Sequence, residues 1–183
     1  MDVEKLKKEY DIQVDWQPYF LRPDTPPEGW PLPAAIKERM KDPNNPLKLR
    51  AAQAGLKMVE REMIPSTRRA HQAAEYARTQ GKLEPFHAAL LRRYWSEGQD
   101  LWAWETLRAA AQEVGLDPDE VQRAVEDGRF AQAVEDAIRE AQAMGVNAVP
   151  TFLVGDRFAI QGAQSYPVFK QAMERLGATP RAG

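Results

Sequence analysis

Gly145-Val146-Asn147-Ala148-Val149-Pro150-Thr151-Phe152-Leu153-Val154 is where the hydrophobic period of the chain changes. Before it, apolar residues recur at helical spacing. From Thr151 they gather into a short β-branched and aromatic run, the signature of a strand. Gly155-Asp156-Arg157 reads as a tight turn and Phe158-Ala159-Ile160 as a second strand, so a β-hairpin is predicted. Gly162-Ala163-Gln164 follows. Ser165 then stands where a cap is needed for a last helix, with Val168, Phe169, Ala172, Met173 and Leu176 on its inner face. The tail after Gly177 is expected to fray.

Towards the N-terminus, residues 33–145 read as helical almost throughout. Segments 66–81, 83–98, 101–115 and 129–144 each carry an apolar stripe, and Asp117-Pro118-Asp119-Glu120 opens a further helix with a cap, a proline and two acids. Asn45-Pro46 is a similar start, after which Leu47, Ala51, Ala54, Met58 and Arg61 follow one helical line. Residues 22–33 are proline-rich and predict a loop. Residues 2–10 predict a helix. In residues 12–16, Ile12, Val14 and Trp16 alternate with Gln13 and Asp15, which predicts a strand with one buried side, ended by Pro18. The order α, β, helical block, β, β, α predicts an α/β protein in which a large all-helical domain is inserted into a sheet domain. The expected parts are 1–32, 33–144 as the insertion, 145–177, and a tail over 178–183.

The chain has 183 residues, of which 43% are hydrophobic and 28% charged, with a formal net charge of −2; this is a globular composition without the basic excess that nucleic acid would require. No apolar run reaches the length of about 20 residues needed to span a bilayer, so no membrane partner is expected. Nothing resembling a signal peptide stands at the N-terminus, and a cytoplasmic location follows. There is no cysteine, which excludes disulfides, thiolate metal sites and a cysteine nucleophile; with only His71 and His87, a multi-histidine metal site is excluded as well. No cofactor is implied.

The string from Gly145 to Phe152, the hairpin and Gly162-Ala163-Gln164 resemble the DsbA family of thioredoxin-fold oxidoreductases, and within it the cytoplasmic FrnE-like branch. Ser66 to Gly81, Leu90 to Leu101 and Val114-Gly115-Leu116-Asp117 resemble it in order and phrasing, so the likeness covers about residues 2–176. It implies a thioredoxin-like sheet with a helical insertion, and disulfide exchange with a protein or small-thiol substrate. It also implies an opening strand and a Cys-x-x-Cys motif, neither of which has a counterpart here. That strand would lie between residues 12–16 and 151–154. Its loss would orphan several backbone groups at about 1–3 kcal/mol each. An N-terminally truncated chain is therefore expected, with a cysteine-free protein or a partner strand as the other readings.

In the family, the proline matching Pro150 is cis and faces substrate, which implies a substrate-binding role for Pro150 and for the backbone of Val149; an ordinary strand-opening proline is the plain alternative. Gln164 is a further substrate-cleft candidate, or merely part of a strand-to-helix turn. His71 and His87 read as half-buried helical histidines, and Tyr94, Trp95, Trp102 and Trp104 as core packing. Glu60, Arg61 and Glu62 read as a solvated face.

Three functions follow. The first is the family's disulfide exchange, redox-inactive in this chain for want of a thiolate and so without a catalytic residue. The second is a glutathione-dependent isomerase of the 2-hydroxychromene-2-carboxylate isomerase type, whose serine would also lie in the missing segment. The third is a non-catalytic module binding extended peptides beside Pro150. A homodimer is compatible with each.

Overall fold

A computed structural model describes residues 2–155 and 158–181. The chain divides into two compact units, residues 1–21 with 139–183, and residues 22–138.

The first unit holds α1 (Asp2–Glu9), β3 (Thr151–Val154), β4 (Phe158–Gln161) and α9 (Tyr166–Leu176). β3 and β4 pair antiparallel with Thr151 opposite Gln161 and Val154 opposite Phe158. The predicted turn residues Asp156 and Arg157 lie outside the described residues. Strand alternation sends Phe152, Val154 and Ile160 to one face, where they meet Leu6 and Tyr10 of the N-terminal segment and Phe169, Ala172 and Met173 of α9. The rings of Phe152 and Phe169 meet edge to face at 4.8 Å. Lys5 lies 3.9 Å from the centre of the Tyr166 ring, whose hydroxyl donates to Glu9. Ser165 is at the N-cap of α9, but its side chain makes no capping bond; Pro167 in the first turn presets the helix instead.

Residues 12–16 form no strand. Their burial still alternates, with Ile12, Val14 and Trp16 half-buried and Gln13 and Asp15 exposed, so the side-chain pattern is present without the strand. A strand also needs a ladder, and the described residues provide no neighbour that pairs with this segment. The C-terminal tail is better held than its composition implied. Asp11 donates its backbone N–H to Thr179 at 2.9 Å, and Arg181 donates its own to Glu9 at 2.9 Å, making a bridge between Tyr10 and Pro180.

The second unit contains β1 (Trp30–Pro31), α2 (Ala34–Lys41), α3 (Pro46–Gln53), β2 (Met63–Ile64), α4 (Arg68–Thr79), α5 (Leu83–Ser96), α6 (Trp104–Glu113) and α7 (Pro118–Glu126). α8 (Ala131–Ala143) carries the chain back to the first unit. Alanines 70, 73 and 77 on α4 and 110 and 111 on α6 keep these helices slim where they pack, and Phe86, Leu107 and Val121 fill the centre. Arg93 of α5 is buried and donates to Glu113 of α6 at 2.6 Å; that hydrogen bond holds the Glu113 carboxyl below its ordinary range.

Two glycines explain where the helical reading of residues 33–66 departs from the structure. α3 is capped by Asn45, whose Oδ1 accepts from Leu47 N–H at 2.8 Å. It ends before Gly55 (φ +70), so the apolar line from Leu47 does not continue as helix to Arg61. In the proline-rich stretch, Trp30 pairs with Ile64 and Pro31 with Met63. A Cβ on Gly29 (φ +77) would stand 2.6 Å from the Ile64 carbonyl oxygen, so only glycine permits this approach. The pairing puts residues 30–31 with the helical unit.

Burial pushes the His87 imidazole on α5 below its ordinary value. The unfolded chain then binds the proton more readily than the folded one as pH falls through the ordinary histidine range. The stabilising effect is complete above about pH 6.5 and is lost below it. Urea midpoints measured from about pH 7.5 down to about pH 5 should fall more steeply for the wild type than for His87→Leu. Parallel slopes would show that His87 is not the group responsible.

Candidate functional site

The three residues singled out for substrate contact come together at the head of the hairpin. Gly162 donates its N–H to the Pro150 carbonyl at 2.8 Å, closing the ladder one pair beyond Thr151 and Gln161. Gln161 Nε2 donates to Asn147 Oδ1 at 2.7 Å, and Gln164 Nε2 donates to the Gln161 carbonyl at 2.9 Å. Tyr19 donates its hydroxyl to the Val146 carbonyl at 3.0 Å, fastening the approach to Val149. The Val149–Pro150 bond is cis. Val149 is 46% exposed, and Pro150 and Gln164 are exposed too. The group is thus an ordered rim open to solvent, fixed mainly through backbone.

The register shows which backbone groups this rim presents. In an antiparallel pair, hydrogen-bonded and non-bonded pairs alternate. The Gly162 to Pro150 bond makes 150 and 162 a bonded pair, so 152 with 160 and 154 with 158 are bonded too. Phe152 and Val154 therefore turn their N–H and C=O towards β4, while Thr151 and Leu153 turn theirs away from it. Among the described residues β3 pairs only with β4, which leaves this second edge without a strand. Thr151 Oγ1 donates to the Ala148 carbonyl at 2.7 Å, holding the entry to β3. On the face opposite the core, the Leu153 side chain is 48% exposed beside an exposed Ala159.

The other candidates lie elsewhere. His71 is on α4 and His87 on α5, both half-buried in the helical unit. The aromatic cluster divides between two arginines: Arg69 stacks 4.0 Å from Trp102 and 4.3 Å from Trp104, and Arg61 stacks 3.6 Å from Tyr94 and 4.1 Å from Trp95. Arg61 is therefore not part of a solvated face, although Glu60 and Glu62 beside it are exposed. No group of three or more His, Asp or Glu side chains that could hold a metal ion occurs among the described residues. Among the described residues no helix is long and apolar enough to cross a membrane.

Residues 1–174 match the DSBA-like thioredoxin domain family. The chain belongs to that family. The uncharacterized protein YwbO of Bacillus subtilis (strain 168) is 27% identical over 173 residues, covering 93% of this chain and 85% of that one. Among solved structures, a probable DsbA oxidoreductase from Streptomyces coelicolor superposes with a TM-score of 0.73 at 25% identity, over 86% of this chain and 72% of its own. A 2-hydroxychromene-2-carboxylate isomerase superposes with a TM-score of 0.70 at 19% identity, over 96% of this chain and 86% of its own; at that identity it attests the fold alone. This DsbA-family chain has the α/β thioredoxin-like fold with a large helical part. It contains no cysteine and is redox-inactive as it stands.

Proposed function

We propose that this DsbA-family chain is a non-catalytic module that takes up an extended peptide as a strand beside β3, with Val149 and Pro150 at the head of the strand and Gln164 on the flanking turn. The observation that carries the reading is the outward set of N–H and C=O groups on Thr151 and Leu153. Such an edge binds main chain through ladder hydrogen bonds and selects side chains at alternate positions. The half-exposed Val149 and Leu153 favour apolar residues at those positions. A place in the FrnE-like branch and in the cytoplasm belongs to the same proposal and is supported by the Gly162-Ala163-Gln164 turn after the hairpin.

The test uses a fluorescent extended apolar peptide and Leu153→Pro. Proline at 153 removes an N–H that points away from β4, so the hairpin ladder should survive while the guest strand loses a donor. Affinity should fall about tenfold or more, the worth of one hydrogen bond and the steric block. Binding as tight as the wild type's would refute the edge as the docking site. Isothermal titration with glutathione should give no heat of binding; saturable heat would favour the isomerase reading instead.

A further inference from the structure

The helical unit has a cavity of about 290 Å³, lined by Arg61, Met63, Pro65 and Tyr94 among others. Arg61 is the cation among the described residues that line it. Its guanidinium is held by the Tyr94 and Trp95 rings at 3.6 and 4.1 Å. The support beneath it is fixed, since Val59 donates its N–H to the Trp95 carbonyl at 2.9 Å and Ser96 Oγ donates to the Lys57 carbonyl at 2.7 Å.

Three carboxylates line the same cavity, and each is engaged elsewhere. Glu62 pairs with Lys37, Glu60 lies 3.6 Å from Lys48, and Asp100 Oδ1 accepts from the Trp102 N–H at 2.9 Å. Arg61 makes no ion pair with a described residue, and its Nη1 is buried with no acceptor. Burial without a counter-charge brings the guanidinium down to about 10. A cation fixed on an aromatic support at the wall of a cavity, with no ion pair to a described residue, is suited to an anion.

We propose that this cavity binds a compact organic monocarboxylate through Arg61. The planar guanidinium matches a planar carboxylate through parallel N–H donors. Met63, Pro65 and the Tyr94 ring offer an apolar wall to the body of the acid. Glu60, Glu62 and Asp100 at the lining oppose a dianion such as phosphate more than a monocarboxylate, because the repulsion scales with the charge of the ligand. The site lies wholly within the helical unit and is independent of the β3 edge.

Isothermal titration of the whole chain with benzoate, benzamide and inorganic phosphate tests the assignment. Benzoate should saturate at one site and bind about tenfold more tightly than its neutral isostere benzamide, with phosphate weaker still. Amide resonances of Gly98 and Gln99 should shift with benzoate. Arg61→Gln should bring benzoate down to the benzamide level, while Leu153→Pro should leave it unchanged. The comparison of benzoate with benzamide on the wild type stands whether or not Arg61→Gln folds. Equal binding of benzoate and benzamide, no saturable benzoate binding, phosphate as tight as benzoate, or an Arg61→Gln variant with wild-type affinity would each overturn the proposal.

Discussion

Insulin in dithiothreitol should be reduced and should aggregate no faster in the presence of this chain than in a protein-free control. Disulfide exchange requires a thiolate to attack one sulfur while the other leaves, through a mixed disulfide that the enzyme's second thiol resolves. DsbA-type chemistry places that thiolate at a helix N-terminus, where the dipole lowers its pKa. The chain has no sulfur except in its six methionines, whose thioethers carry no ionisable proton and cannot form the mixed disulfide. The expected effect is therefore all or none. Acceleration above the control by the purified chain would contradict the redox-inactive assignment.

Phe86→Ala should cost the helical unit about 3–5 kcal/mol. Phe86 is 0% exposed and lies in the cluster formed by α4, α5, α6 and α7, where the alanines of α4 and α6 leave the ring to fill the space between helices. The alanines cannot extend into the hole its removal would leave, so the cavity term adds to the lost transfer energy. Against a net stability of about 5–15 kcal/mol, this is a large fraction. Leu91→Ala, on the same helix but 38% exposed, is the control and should shift stability by no more than about 1 kcal/mol. Urea unfolding followed by tryptophan fluorescence reads both, because Trp30, Trp95, Trp102 and Trp104 belong to this unit. Similar midpoints for the two variants would mean that Phe86 does not anchor the core.

The hairpin and the helices were legible because their signals are local. The run from Thr151 to Val154 has a strand's composition, and its bounds agree with those observed. Asp117 accepts from the Asp119 N–H at 2.9 Å, as the cap before Pro118 leads one to expect. Residues 12–16 show where local pattern stops: alternation sets which side chains are buried, but pairing depends on what lies alongside. The Trp30 to Ile64 pairing was illegible for the same reason, since its enabling feature is the absence of a Cβ at Gly29 facing a distant carbonyl. Arg61, between two glutamates, has the composition of a surface and is placed by rings far along the chain. At the rim, Val149, Pro150 and Gln164 could be picked out only by their resemblance to a family motif. The outward direction of Thr151 and Leu153 required the register.

Backbone amide hydrogen exchange across β3 tests that direction most directly. The account predicts slow exchange at Phe152 and Val154, whose N–H groups bond to β4, and fast exchange at Thr151 and Leu153, with the latter pair slowing when peptide is added. Strong protection at all four amides in the free chain would show that the edge is already covered, and would contradict the proposed docking site.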